Sequence, residues 1–150
     1  MDLLRDNQFA SLSGREVLQR SLDAGQNAPI ADTLGFSLVE VGDGMVVFES
    51  TPTPKVYNPI GSVHGGFSAA ILDSACGCAV HSKLSATQGY TTLELKIAYH
   101  RALTVKTGKT RCVGRVKTFG RRVAFAEAEL FDEAGNLCVS ATSTLLVFDI

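Results

Sequence analysis

Between Val56 and Ser82 the chain reads VYNPIGSVHGGFSAAILDSACGCAVHS, and Asp73 is its only formal charge. A carboxylate buried without a partner costs several kcal/mol or more, so such a group is paired, neutralised or used. On a helix its neighbours three and four positions away are Ala69, Ala70, Cys76 and Gly77. None of these can pair with a carboxylate, and all are small. Nine residues earlier, His64 is followed by Gly65 and Gly66. If a helix starts there, its first N–H groups lack intrahelical acceptors and carry part of the helix dipole. Glycine lets a ligand approach them closely, so Gly65 and Gly66 are candidates to hold a developing oxyanion. Asn58, in the preceding loop, offers an amide that could orient water or a carbonyl. A carboxylate base, a backbone oxyanion donor and a polar orienter together suit attack of water on an activated acyl group. Each residue also has a plainer role: His64 as a helix cap, the glycines as a steric need, Asp73 as a partner for a loop backbone.

These residues need a frame. The longest apolar stretch, about residues 67–80, is predicted to be a buried helix running from about Gly65 to Ser82. It is apolar on most sides and rich in alanine and glycine, so a sheet can wrap closely around it. It is too short, and too rich in Ser, Gly and Asp, to span a membrane. Upstream, Ser13 and Glu16 fit a capping box with Gly25 as the helix stop, and Pro29 marks entry to the next segment. LGFSLVEVGDGMVVFESTP reads as two strands around Gly42-Asp43-Gly44. Downstream come four strand patterns. In YTTLELKIAY, strict alternation puts Leu93, Leu95, Ile97 and Tyr99 on one face and Thr92, Glu94 and Lys96 on the other. The expected fold class is α+β, an antiparallel sheet around one long central helix. The 150 residues suit one domain, residues 1–150, with a short helical extension over about 1–30.

The four cysteines, Cys76, Cys78, Cys112 and Cys138, show neither metal-ligand spacing nor a secretory context, so they read as reduced core residues and no metal is expected. Net charge is −1, which does not call for nucleic acid. Eight of the 14 basic residues nevertheless fall between Arg101 and Arg122, a segment with no acid. No signal peptide or membrane span is read, and the expected location is cytoplasmic.

NPIGSVHGGFSAAILD resembles the signature of hotdog-fold acyl-CoA thioesterases of the PaaI-like (phenylacetic acid degradation) family. Asn58, Gly61, His64, Gly65, Gly66 and Asp73 match its pattern of an Asn, then G-x-x-H-G-G, then an acid nine positions after the His. The resemblance covers the chain from about Leu34 onward. It implies hydrolysis of an acyl- or aryl-CoA to free acid and CoA, with the thioester as substrate and no cofactor. Asp73 would be general base or nucleophile, and the Gly65 N–H would polarise the carbonyl. His64 would hold the loop, and Asn58 would position water or substrate. A Ser or Thr on the following strand assists in related enzymes, here Thr92, or Thr91 if the register slips by one. The resemblance also implies a homodimer joined edge to edge, with the site between the subunits, and a homotetramer of two such dimers. Arg101, Arg121 and Arg122, together with Gly66, then become candidates for binding the substrate, the arginines through CoA phosphates. Three other readings compete. A serine hydrolase would need a G-x-S-x-G elbow, and GFSAA lacks the second glycine. A hotdog hydratase or dehydratase would carry different loops. A non-catalytic acyl-CoA sensor would need a DNA-binding appendage, for which the N-terminal thirty residues are too few and not basic.

Overall fold

The computed structural model describes residues 9–150, so the start of the predicted N-terminal extension lies outside the described residues. Helix α1 (Gly14–Asp23) begins with the predicted capping box. Ser13 accepts from the Glu16 N–H, and the Glu16 carboxylate accepts from the Ser13 N–H at 2.8 Å. Gly25 follows the helix at φ 63°, as a stop signal should. A second helix, α2 (Pro29–Leu34), was not expected. Six residues are too few to show a helical period, but proline at its start and Gly35 after its end, at φ 78°, are its sequence marks.

Strands β1 (Phe36–Gly42) and β2 (Met45–Ser50) form the predicted hairpin. The central helix α3 runs from Gly65 to His81, within one residue of expectation. Then come β3 (Gln88–Tyr99), β4 (Thr110–Phe119), β5 (Val123–Phe131) and β6 (Leu137–Asp149). The six strands form one antiparallel sheet in the order β1-β2-β4-β5-β6-β3, and α3 packs across it. Ile71, Leu72, Ala75, Cys76, Ala79 and Val80 of α3 are fully buried in this core. The approach is close. A Cβ at Gly114 of β4 would lie 2.3 Å from the Ala75 carbonyl oxygen, so the sheet can touch the helix backbone only where this strand has no side chain.

The two outer strands differ in length. β1 has seven residues, and β3 has 12 with one edge unpaired among the described residues. A long open edge is a surface that most proteins blunt or cover. β3 instead leaves Leu93 58% exposed and Tyr99 56% exposed.

β3 also corrects the predicted alternation. Its pairing with β6 skips Leu93: Thr92 pairs with Leu145, and Glu94 with Thr144. This bulge reverses parity midway. Tyr90 and Thr92 face the helix before it, and Leu95 and Ile97 do so after it. Thr92 therefore shares a face with Leu95 and Ile97 rather than opposing them.

Candidate active site

The bulge brings Thr92 onto the central helix. Thr92 Oγ1 donates to Asp73 Oδ1 at 2.9 Å, which decides between the two threonines, since Thr91 is exposed. Asp73 is half-buried, and its Oδ2 has no hydrogen-bond partner among the described residues. The carboxylate opens into a cavity of about 230 Å³. Leu18 and Ala31 come to its wall from α1 and α2, Phe36 and Leu38 from β1, and Phe48 from β2. The N-terminal segment, for which no motif suggested a role, thus walls the cavity beside Asp73.

The start of α3 is organised by its own residues. His64 is the N-cap, and its Nδ1 accepts from the Gly66 N–H at 2.8 Å. The Phe67 N–H goes to the His64 carbonyl. The Gly65 N–H has no acceptor among the described residues. The two glycines, read alike from sequence, therefore differ. Gly65 keeps a free donor, whereas the Gly66 donor is taken, which corrects its reading as a second oxyanion donor. Tyr99, which sequence reasoning missed, lies over Gly65 and donates to its carbonyl oxygen at 2.7 Å. A Cβ on Gly65 would lie 2.9 Å from the Tyr99 hydroxyl, so glycine is required for this packing.

Asn58 spends most of its amide on its own loop. Its Oδ1 accepts from the Ile60 and Ser62 N–H groups, both at 3.1 Å, and its Nδ2 donates to Ser62 Oγ at 2.9 Å. One amide hydrogen remains for water or substrate. Asn58, Gly65, Tyr99 and Arg101 border a groove of about 330 Å³, separate from the Asp73 cavity. Eight residues of helix, about 12 Å of rise, separate Gly65 from Asp73. Within one chain the base and the free donor cannot touch the same carbonyl.

The basic segment is dispersed by the fold. Lys109 and Arg111 pair with Glu49, Arg111 also with Glu40, and Lys117 with Glu127. These are exposed cross-strand pairs, worth at most about 1 kcal/mol each. Arg101, Arg121 and Arg122 form no salt bridge among the described residues. They lie at opposite ends of the sheet. Val123, after the two arginines, pairs with Leu146, which pairs with Thr91, so Arg121 and Arg122 mark the Asp73 end. Arg101 follows Tyr99 at the Gly65 end.

No cysteine is set up as a nucleophile. All four are free, and burial followed by the Asp73 charge pushes the Cys76 and Cys78 thiols up to about 12. His81, at the far end of α3, is also buried, and that burial lowers its pKa from about 6.5 to about 4. The unfolded chain then binds a proton that the folded chain refuses, so stability is full above pH 6.5 and falls as pH drops towards 4. Between pH 7 and pH 5 the expected loss is on the order of 2 kcal/mol. Urea midpoints at the two pH values measure it, and His81→Leu should flatten the difference.

Residues 60–139 match the family model of the Thioesterase superfamily. The proofreading thioesterase EntH of Cronobacter sakazakii is 26% identical over 134 residues, which span 89% of this chain and 96% of that protein. A conserved protein from Pseudomonas aeruginosa has a structure similar at TM-score 0.76 and 30% identity, covering 81% of this chain and 95% of its own. A phenylacetic acid degradation-related protein from Ralstonia eutropha is similar at TM-score 0.77 and 29% identity, covering 86% and 98% respectively.

Proposed function

The chain belongs to the thioesterase superfamily as a PaaI-like hotdog thioester hydrolase, and from that premise we propose that it cleaves an acyl- or aryl-CoA at a site shared by two protomers. The observation that carries this reading is the Asp73 carboxylate, which lines a largely apolar cavity and is held at one oxygen by Thr92, with no partner for the other among the described residues. Asp73 Oδ2 takes a proton from water as that water attacks the thioester carbonyl carbon. The carbonyl oxygen gains the negative charge and is met by the Gly65 N–H of the partner subunit, at the positive end of its α3. Collapse of the intermediate breaks the C–S bond, and the thiolate of CoA leaves and takes up the proton.

The need for a partner follows from the roughly 12 Å between Asp73 and Gly65 in one chain. The open edge of β3 supports how it is met. Two copies pairing antiparallel along β3 bring the Tyr99–Gly65 end of one beside the Thr92–Asp73 end of the other. The same pairing brings the partner subunit's Arg101 towards Arg121 and Arg122, where three cations suit the phosphates of CoA. His64 fixes the loop by capping α3, Gly66 leaves room for substrate, and Asn58 offers its remaining amide hydrogen. We place assembly as a homodimer, and two such dimers as a homotetramer. No helix among the described residues is long and apolar enough to cross a membrane.

The cavity bounds the acyl group. An apolar cavity of about 150 Å³ holds benzene. One of about 230 Å³ accommodates a single ring with small substituents, or a short chain, rather than a long fatty-acyl tail. The test is thiol release by the purified protein across aryl- and aliphatic acyl-CoAs. Expected is cleavage of monocyclic aryl and short acyl thioesters, with long-chain substrates poor. Binding of acyl-CoA without release would instead identify a sensor.

A further inference from the structure

Resting on this reading of the site, we propose that the Tyr90 hydroxyl determines acyl-group specificity, by hydrogen bonding to a neutral polar substituent, such as a hydroxyl, at the far end of the acyl group.

Three features place Tyr90 for that task. It precedes Thr92 by two residues on β3, before the bulge, so both side chains face the same cavity as Asp73. It packs over Gly77, where a Cβ would lie 3.0 Å from its ring and 3.1 Å from its hydroxyl oxygen. Gly77 is one helical turn beyond Asp73, about 6 Å along the axis. That separation is about the length of one aromatic ring. A thioester carbonyl at Asp73 would thus put a ring substituent near Tyr90.

The hydroxyl is also free and uncharged. It has no hydrogen-bond partner among the described residues, although it reaches the wall of the cavity. Burial, reinforced by the nearby Cys78 and Asp73, holds the phenol protonated. The His81 ring lies 5.5 Å from the Tyr90 ring and is kept neutral by its own burial. No lysine or arginine lines the cavity. A carboxylate at the end of the acyl group would find no cation there and would lose its hydration. A hydroxyl would gain a partner that otherwise goes unused.

The test compares wild type with Tyr90→Phe, which keeps the ring over Gly77 and removes only the hydroxyl. Binding of phenylacetic acid and its ortho-, meta- and para-hydroxy derivatives is followed by titration calorimetry. The corresponding CoA thioesters are followed by kcat/KM, and melting temperature checks the fold. Expected is a wild-type preference for one hydroxylated isomer over the unsubstituted acid, reduced about 3- to 10-fold in Tyr90→Phe, with the unsubstituted compound almost unaffected. Wild type without such a preference, a preference that survives in Tyr90→Phe, or equal weakening of both compounds would overturn the proposal. The two claims separate cleanly. A Tyr90-dependent preference in calorimetry with no thioester cleaved sustains this inference and removes the hydrolase reading. Cleavage with a preference indifferent to Tyr90 does the reverse.

Discussion

Asp73→Asn is expected to slow thiol release by about 10²- to 10⁴-fold, the usual worth of a positioned general base. Asparagine has nearly the same shape, and its carbonyl oxygen can still accept the 2.9 Å hydrogen bond from Thr92. Packing around α3 is therefore preserved, and the melting temperature should move little. What disappears is the second oxygen, the one without a partner among the described residues, together with the charge. The loss should fall on kcat, with KM nearly unchanged, because the proton moves in the transition state and not on binding. Steady-state kinetics on the best substrate of the panel measures this. A variant that keeps its rate would mean the carboxylate is structural.

The second large effect is expected at Gly65. In Gly65→Ala the new Cβ would meet the Tyr99 hydroxyl at 2.9 Å and the ring carbon that carries it at 3.1 Å. Something must shift, and the same hydroxyl is bonded to the Gly65 carbonyl. Displacing Tyr99 releases the Gly65–Gly66 peptide, and the backbone at Gly65 shifts with it, next to the one N–H that has no acceptor of its own among the described residues. Loss of one oxyanion donor typically costs about 10²–10³ in kcat, and misplacement by about 1 Å costs a comparable factor. We expect about a 10²-fold fall in kcat with acyl-CoA affinity largely kept. Full activity in Gly65→Ala would exclude this N–H as the oxyanion donor.

The legible parts of the molecule were those written in local sequence. The extent of α3 followed from a long, mostly apolar stretch entered through His-Gly-Gly, and α1 from a capping box and a glycine stop. Strand existence followed from alternation. Events that depend on partner strands were hidden. The bulge at Leu93 leaves no composition mark, yet it decides which face Thr92 occupies. Helix α2 was too short to show a period.

The site divides the same way. Asp73 stood out because its segment has no other charge, and the structure brings it together with Thr92. The difference between Gly65 and Gly66 depends on where the His64 ring turns, which spacing alone does not encode. The dense basic segment offered Arg101, Arg121 and Arg122 as candidates for the CoA phosphates, but not the partners of its other cations. In space three of its eight cations, Lys109, Arg111 and Lys117, meet Glu40, Glu49 and Glu127 on β1, β2 and β5, because β4 lies between β2 and β5. Tyr90 and Tyr99 were overlooked because a tyrosine in a strand most often signifies packing. Their hydroxyls matter only through what lies opposite them on α3.

The most direct test of a site shared between two chains mixes the two variants. Asp73→Asn and Gly65→Ala are each expected to be nearly inactive alone. Unfolded together and refolded, or co-expressed, they form hybrid dimers in which one site keeps both Asp73 and Gly65 and the other has neither. Random pairing makes about half the dimers hybrid, each with one intact site of two, so thiol release should return to about a quarter of the wild-type rate. A mixture that stays as inactive as its components, although hybrids are demonstrated by mass, would show that Asp73 and Gly65 do not act on one thioester from opposite chains.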